Sequence, residues 1–248
     1  MAGSFSIKLG NFLYKNAYPL YKSMYSVFKN KQDAFEIALL KKHIKPGQTI
    51  LDVGANIGFY AKILSQLTGP NGNVHCFEPD ATNFQHLKVE TAGLTNIVIN
   101  NKAVGPKTEK IKIYTSKNLN VDHRTYKPEE YDREIEIDAI SMEDYFDVNV
   151  KVDFIKIDIQ GFEMEAMKGM HTLLKANHHI KMISEFWPYG LRKAGSSVSD
   201  YYNFLKNMNF NIELLKEDKL EPLSLEKVQQ LEPLGEEHYF NIFVYRNV

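Results

Sequence analysis

The hydrophobic pattern after residue 45 alternates short apolar runs with segments whose apolar residues recur every three or four positions. Short apolar runs are typical of buried strands, and the longer repeat is typical of amphipathic helices. The predicted strands are 49–53, 73–77, 97–100, 152–157, 180–184, 210–215 and 239–245, and the predicted helices are 58–67, 81–92, 161–170 and 199–208. This order predicts an α/β fold with a mostly parallel sheet and helices on both faces.

Two segments in the middle of the chain alternate apolar and polar residues. Residues 111–114 and 134–138 therefore predict half-exposed strands, joined by a polar loop from Ser116 to Arg133. Loops of this length are usually functional or disordered. We expect this loop, the helical N-terminus and the turn from Trp187 to Gly190 to form the walls of a substrate site.

The first 45 residues have helical periodicity, interrupted by Pro19. Lysines recur every seven residues from Lys8 to Lys29, and no acidic residue precedes Asp33. Tyrosines at helical spacing usually pack on a domain, whereas a basic amphipathic stretch can lie on an anionic membrane surface. We predict that residues 1–45 form a helical N-terminal cover on a domain of residues 46–248, with peripheral membrane contact as the alternative.

The composition is that of a folded globular protein. A chain of 248 residues with 44% hydrophobic and 25% charged residues is neither disordered nor a cysteine-rich scaffold. Thirty basic and 31 acidic residues give a net charge of -1, and the chain has four arginines, so we expect no nucleic-acid partner. The single Cys76, the lack of a secretory signal and the lack of an apolar run of membrane-spanning length predict a cytoplasmic protein.

A glycine-containing loop follows the first predicted strand. Gly54 allows a sharp turn, and Gly58 begins a helix whose N-terminus faces the expected pocket. The dinucleotide fingerprint G-x-G-x-x-G has its middle glycine where this chain has Asn56, and Asp52 would repel a pyrophosphate. S-adenosylmethionine carries an ammonium, a sulfonium and no phosphate, and therefore fits these residues better than NAD.

A carboxylate follows the second predicted strand. Glu78 stands 20 residues beyond Gly58, and Pro79 ends the strand. An acid at this place can accept both hydroxyls of a ribose. Loop and acid together predict a nucleoside-containing cofactor.

Four motifs in this order resemble the FkbM family of S-adenosylmethionine-dependent methyltransferases. They are Leu51–Tyr60, Phe77–Pro79, Asn101–Val104 and Phe154–Glu163. The resemblance covers roughly residues 47–215. It implies a Rossmann-like class I methyltransferase fold and O-methylation of a hydroxyl on a sugar, glycolipid or secondary metabolite. It implies cofactor contacts at Asp52, Gly54, Asn56, Gly58, Phe59, Glu78, Pro79, Asn101 and Ala103. The chain departs from the family pattern at Gln160, where Glu is usual.

Charged residues interrupt two of the predicted buried strands. Lys156 and Asp158 are two apart and project to one side, and Asp158 stands at the carboxyl end, where α/β sheets bind ligands. Glu185 ends the next strand. We predict that Asp158, Glu185 and Lys156 orient an acceptor hydroxyl and remove its proton, and a structural ion pair is the alternative.

Further candidates lie around these acids. His123 in the polar loop is an alternative general base because its pKa lies near neutrality. Glu163 and Trp187 are candidate acceptor contacts, although an acid at Glu163 also suits the first turn of a helix. We expect no metal, because Lys156 lies close to the two carboxylates.

Two other functions remain open from the sequence. The first is an NAD-dependent Rossmann oxidoreductase, which is disfavoured because this chain lacks the middle glycine of the dinucleotide fingerprint. A non-catalytic, membrane-associated protein with the same fold is motivated by the N-terminal lysines. The leading prediction is a methyltransferase with a small-molecule or glycan hydroxyl as acceptor.

Overall fold

The computed structural model describes residues 10–116, 123–147 and 149–247. The strands are β1 Thr49–Val53, β2 Asn73–Phe77, β3 Ile97–Asn100, β4 Ala103–Val104, β5 Glu109–Thr115, β6 Arg133–Ile140, β7 Phe154–Ile157, β8 Lys181–Phe186, β9 Asn211–Lys216, β10 Lys219–Pro222 and β11 Phe240–Tyr245. The helices are α1 over residues 10–16, α2 Tyr18–Gln32, α3 Ala34–His43, α4 Phe59–Thr68, α5 Ala81–Glu90, α6 Met142–Tyr145, α7 Glu163–Lys168, α8 His171–Ala176, α9 Pro188–Lys193, α10 Val198–Asn207 and α11 Leu225–Leu231.

The central sheet has eight strands in the order β10-β9-β11-β8-β7-β1-β2-β3. The five strands from β8 to β3 pair in parallel. β11 runs antiparallel between β8 and β9. The prediction of an α/β fold with a mostly parallel sheet is confirmed.

Neighbouring residues of each central strand pack into different cores. Ile50 and Phe154 belong to a core with α3, α4 and α5, whereas Leu51 and Ile155 belong to a core with α6 to α11. Successive side chains of a strand point to opposite faces. The sheet is therefore covered on both sides, and polar groups can reach a ligand only at its ends.

The alternating segments form a separate small sheet in the order β4-β6-β5. β5 and β6 pair antiparallel, with Ile111 opposite Ile137. The loop between them brings His123 and Arg124 back to the central sheet, although its residues 117–122 lie outside the described residues.

The helix predicted over 161–170 is confirmed as α7, which is shorter and spans Glu163–Lys168. It stops before Gly169, where any Cβ would lie 1.9 Å from the Gly105 carbonyl oxygen. β10 and α11 were not predicted, because β10 is a largely polar edge strand and α11 spans only 7 residues.

The N-terminal helices pack on the main domain. Leu13, Tyr14 and Tyr21 surround Ile57, and the Tyr14 hydroxyl donates a hydrogen bond to Asn83 Oδ1 at 2.7 Å. α3 packs more deeply, since Leu40 is fully buried beside the central sheet. In the described ranges, no helix has the length and apolarity needed to cross a bilayer.

Candidate active site

A cavity of about 680 Å³ opens at the carboxyl ends of β1, β2, β7 and β8. Its size is that of a small-molecule or cofactor site. The loop after β1, the acid after β2 and the two acids of β7 and β8 all line it. The sheet therefore brings together the motifs that the sequence separates by more than 100 residues.

The glycine loop is shaped by contacts within the protein. Gly54 has φ 85°, and a Cβ there would lie 2.0 Å from the Asp158 carbonyl oxygen. A side chain at this position would therefore collide with the backbone of the β7 loop. Gly54 lines the cavity, and its predicted cofactor contact stays a prediction. Gly58, with φ 89°, precedes α4 and packs near Leu87, outside the cavity lining.

Glu78 lies at the cavity wall and is nearly buried. Its Oε2 accepts a hydrogen bond from the Asn56 amide and its Oε1 one from the Asp80 amide, both at 2.9 Å. Each oxygen keeps a further lone pair for a hydroxyl donor. Burial raises the pKa of Glu78 to about 8, although the two backbone amides oppose this shift.

The segment after β3 supports this acid. The Asn101 amide donates to the Glu78 and Pro79 carbonyl oxygens at 2.9 and 3.0 Å. Asn101 itself lies outside the lining, whereas Pro79 and Ala103 line the cavity, as does Lys102, which the sequence analysis missed. The Asn101 side chain thus holds the turn at Glu78 in place, and its predicted contact with the cofactor stays a prediction.

Two strand-end acids face the cavity with Gln160 between them. The Gln160 amide donates to Asp158 Oδ1 at 3.2 Å and to Glu185 Oε1 at 3.4 Å. Burial alone would raise the pKa of Asp158, but the ammonium groups of Lys156 and Lys29 and the Gln160 amide hold it below its usual value. Burial and the Asp158 charge raise the pKa of Glu185 well above its usual range. The two pKa shifts run in opposite directions, so Asp158 loses its proton more readily than Glu185.

Lys156 is the buried cation of this cluster. Its Nζ lies 3.6 Å from Asp158 Oδ2, 4.0 Å from Glu36 Oε1 and 4.1 Å from the Tyr60 ring centroid. Burial would lower its pKa, but Asp158, Glu36 and Asp52 together raise it above the usual value. Lys156 therefore stays charged.

Two further acids surround Lys156 below the cavity floor. Asp52 pairs with Lys156 in the β1–β7 register, and burial raises its pKa to about 6. Asp52 is 1% exposed and lies outside the cavity lining, beneath the glycine loop, and its predicted cofactor contact stays a prediction. The sequence analysis did not identify Glu36 as part of this cluster, although an acid within the apolar stretch of α3 could have indicated a buried charge.

Glu163 lies behind the cavity. It is fully buried, and its Oε1 accepts hydrogen bonds from the Ile159 and Gly161 amides at 3.0 and 3.3 Å. Among the described residues, neither its Oε2 nor Glu185 Oε2 receives a hydrogen bond. Burial raises the pKa of both carboxyl groups, which favours a proton on one of them. Glu163 thus holds the β7 loop, and its predicted contact with the acceptor stays a prediction.

His123 lines the cavity, but both ring nitrogens face other groups. Nδ1 accepts from the Ser116 amide at 3.4 Å, and Nε2 lies 3.7 Å from Asp80 Oδ2. A histidine used in this way is less available as a general base than Asp158.

Trp187 and the N-terminus complete the walls. The Trp187 indole donates to the Glu236 carbonyl at 3.0 Å, and the Arg124 guanidinium lies 5.2 Å from its ring centroid. α2 contributes Tyr25 and Phe28, and Phe59 stands on the adjoining first turn of α4. The three expected wall segments all reach the cavity.

The sheet is mostly parallel, its last strand β11 runs antiparallel between β8 and β9, and a glycine loop and an acid lie at the carboxyl ends of β1 and β2. This arrangement defines the fold of a class I methyltransferase. The chain belongs to the FkbM methyltransferase family, since the profile of the methyltransferase FkbM domain matches residues 52–212. It is therefore a methyltransferase enzyme, and its cofactor is S-adenosylmethionine. This decides against the oxidoreductase and the non-catalytic alternatives.

Solved structures share this fold at low sequence identity. A candidate rRNA methylase from Clostridium thermocellum has a TM-score of 0.53 and 11% identity, over 86% of this chain and 94% of that chain. A SAM-dependent methyltransferase from Aquifex aeolicus has a TM-score of 0.47 and 17% identity, over 87% and 92%. Aeropyrum pernix fibrillarin, with natively bound S-adenosyl-L-methionine, has a TM-score of 0.48 and 15% identity, over 84% and 73%. No curated protein sequence matches the chain.

The residues at the cavity fit the cofactor. Glu78 presents two hydrogen-bonded carboxyl oxygens at the place where a ribose would be held, and a pyrophosphate would meet this acid unfavourably. Asn56 and Phe59 line the same wall.

Proposed function

We propose that the protein is an O-methyltransferase whose acceptor is a hydroxyl of a sugar, a glycolipid or a secondary metabolite. The observation that carries this proposal is the position of the Asp158 carboxylate at the cavity wall, 3.6 Å from the Lys156 ammonium. A carboxylate kept ionised can accept a hydroxyl proton, and a neutral Glu185 can donate a hydrogen bond to the same acceptor.

When bound, S-adenosylmethionine supplies an activated methyl group. The chain then has two tasks, which are to align the acceptor oxygen and to take its proton. Asp158 performs both, Lys156 keeps it ionised, and Gln160 fixes its distance from Glu185. Trp187 offers an aromatic face against which a sugar or a planar ring can pack.

The proposal predicts opposite results for two isosteric changes. Asp158→Asn removes the acceptor of the proton and should lower kcat by roughly tenfold to a thousandfold with unchanged cofactor affinity. Glu185→Gln replaces a neutral carboxyl by a neutral amide and should cost much less. Transfer of a labelled methyl group to a panel of glycans, glycolipids and hydroxylated metabolites measures both.

A different pair of results would contradict the role proposed for Asp158. Full turnover of Asp158→Asn together with loss of turnover in His123→Ala would move the general base to the loop and make Asp158 structural. RNA belongs in the panel because a structural relative is a candidate rRNA methylase. We propose no nucleic-acid acceptor for this chain, and methylation of RNA would overturn that.

We further propose that no metal takes part, because the Lys156 ammonium beside Asp158 would repel a divalent cation. Activity should then survive chelation by EDTA.

We also propose a cytoplasmic setting, motivated by the free, buried Cys76. We propose as well that residues 1–45 form a cover over the domain of residues 46–248, motivated by the packing of Tyr14 and Tyr21.

A further inference from the structure

α1 and α2 expose a row of large apolar side chains. We name Phe12, Leu20, Met24, Val27 and Phe28 the apolar stripe; each is between 50% and 73% exposed. Leu20, Met24 and Val27 are spaced by four and three residues and therefore share one face of α2. The buried Tyr21 lies about 100° round the helix from Leu20. One side of α2 thus covers the domain, while Leu20, Met24 and Val27 are exposed.

All charged residues of α1 and α2 are lysines. Residues 10–32 contain four lysines, at 15, 22, 29 and 31, and no aspartate or glutamate. Lys22 pairs with Glu90 and Lys29 with Asp33, whereas Lys15 and Lys31 are exposed. An exposed apolar row flanked by lysines is complementary to an anionic lipid surface, into which apolar side chains insert and to whose headgroups lysines are attracted.

The apolar stripe also reaches the mouth of the cavity. Phe28 belongs to the stripe and lines the cavity, next to Gln32 of the same helix. Across the opening, Tyr239 is 57% exposed, and the Gln32 amide donates to its hydroxyl at 3.3 Å. A surface that covered the stripe would face this opening.

We propose that the apolar stripe docks the protein on an anionic lipid bilayer and that the acceptor is an amphiphile whose hydroxylated headgroup enters the cavity from that bilayer. The second part rests on the proposed methyl transfer to a hydroxyl. Docking itself does not depend on it. The charge complementarity favours a bilayer over a second copy of this chain, because two stripes with their lysines would repel each other.

The test is co-sedimentation of the full chain with vesicles of phosphatidylcholine, with and without phosphatidylglycerol. We expect binding to the anionic vesicles that weakens as salt rises. The double variant Leu20→Gln, Val27→Gln should bind them about tenfold less tightly or worse, because two inserting side chains are lost. Its melting temperature should be unchanged, because both residues are exposed.

The matched control is Leu225→Gln, which changes an apolar residue of α11 that is 46% exposed and outside the stripe. It should bind vesicles as the unchanged chain does. Asp158→Asn should also bind them normally, so failure of methyl transfer and failure of docking are separable. A chain that does not bind anionic vesicles, or a stripe variant that binds equally, overturns the proposal. A dimer that the stripe variant loses in sedimentation equilibrium identifies a second copy as the occupant instead.

Discussion

Gln160 is the residue at which this chain departs from the family pattern, and its surroundings give a reason for an amide there. It has φ 57°, and its side chain donates to two carboxyl groups, one of which is ionised. A glutamate in the same place would add an acceptor where a donor is needed. The amide therefore stabilises the separation of the two acids without a further negative charge.

Glu78 provides a prediction for cofactor binding. Its pKa of about 8 means that the free protein is mostly protonated at this site at neutral pH, whereas ribose hydroxyls are held best by the carboxylate. As the pH rises towards 8, the affinity for 5′-methylthioadenosine, which carries the ribose without the amino acid, should rise by up to about tenfold per pH unit.

Calorimetry at several pH values measures this dependence. Glu78→Gln should remove it and weaken binding at pH 8 by about 1 to 3 kcal/mol, because the hydroxyls lose their acceptor. A flat profile for the unchanged chain would mean that the ionised carboxyl of Glu78 does not hold the ribose.

At the scale of elements, α9 and the β7 loop approach each other closely through two glycines. A Cβ on Gly161 would lie 2.4 Å from the backbone of Gly190, and a Cβ on Gly190 would lie 2.1 Å from the Trp187 ring. These contacts set the distance between α9 and the loop that carries Asp158. They also hold the indole of Trp187 against the cavity.

Gly190→Ala should therefore displace the indole and lower stability. We expect a loss of about 1 to 3 kcal/mol from overpacking, together with a shift of the fluorescence emission, since Trp187 is the only tryptophan in the sequence. Gly10→Ala is the matched control, because a Cβ there meets nothing within 4 Å. Unchanged emission and melting temperature in Gly190→Ala would show that α9 moves without strain.

For the whole molecule, the buried acids connect the pH to the stability of the fold. The pKa values of Glu78 and Glu185 are raised above those of unfolded chains, so the folded state binds more protons than the unfolded state near neutrality. The stability that these groups contribute is fully present below the pKa values that they have in the unfolded chain. It is lost as the pH rises through the pKa values that they have in the folded chain. Half-buried His43, whose pKa is lowered to about 4 mainly by burial, acts in the opposite direction, but only below pH 6.5.

The melting temperature of the cofactor-free chain should accordingly fall between pH 6.5 and 8.5. A change of about 1 to 2 kcal/mol, or several degrees for a chain of this size, is expected from a shift of this kind. Thermal melts followed by circular dichroism measure it, and Glu78→Gln should reduce the slope. A melting temperature that rises over this interval would contradict the protonation of these acids.

Much of the site could be predicted because its determinants are local. The apolar run that ends at Gly54, the acid at Glu78 and the strand-end Asp158 are readable from a few neighbouring residues, and parallel strands with common direction place their carboxyl ends at one edge. Periodicity also predicted a helical N-terminus that packs through its tyrosines. The amino-acid sequence alone therefore determined the α/β order, the edge of the sheet that carries the site and the class of cofactor.

Only the tertiary structure decided which acids face the cavity and which helix face stays exposed. Asp52 and Asp158 lie at the ends of adjacent strands, yet Asp52 is buried below the loop while the Asp158 side chain is 39% exposed. Periodicity divides α2 into two faces but does not tell which one meets Ile57 and which one meets solvent. Both outcomes depend on contacts between residues far apart in the chain, such as Glu36 with Lys156, and these exist only once the sheet and helices have packed.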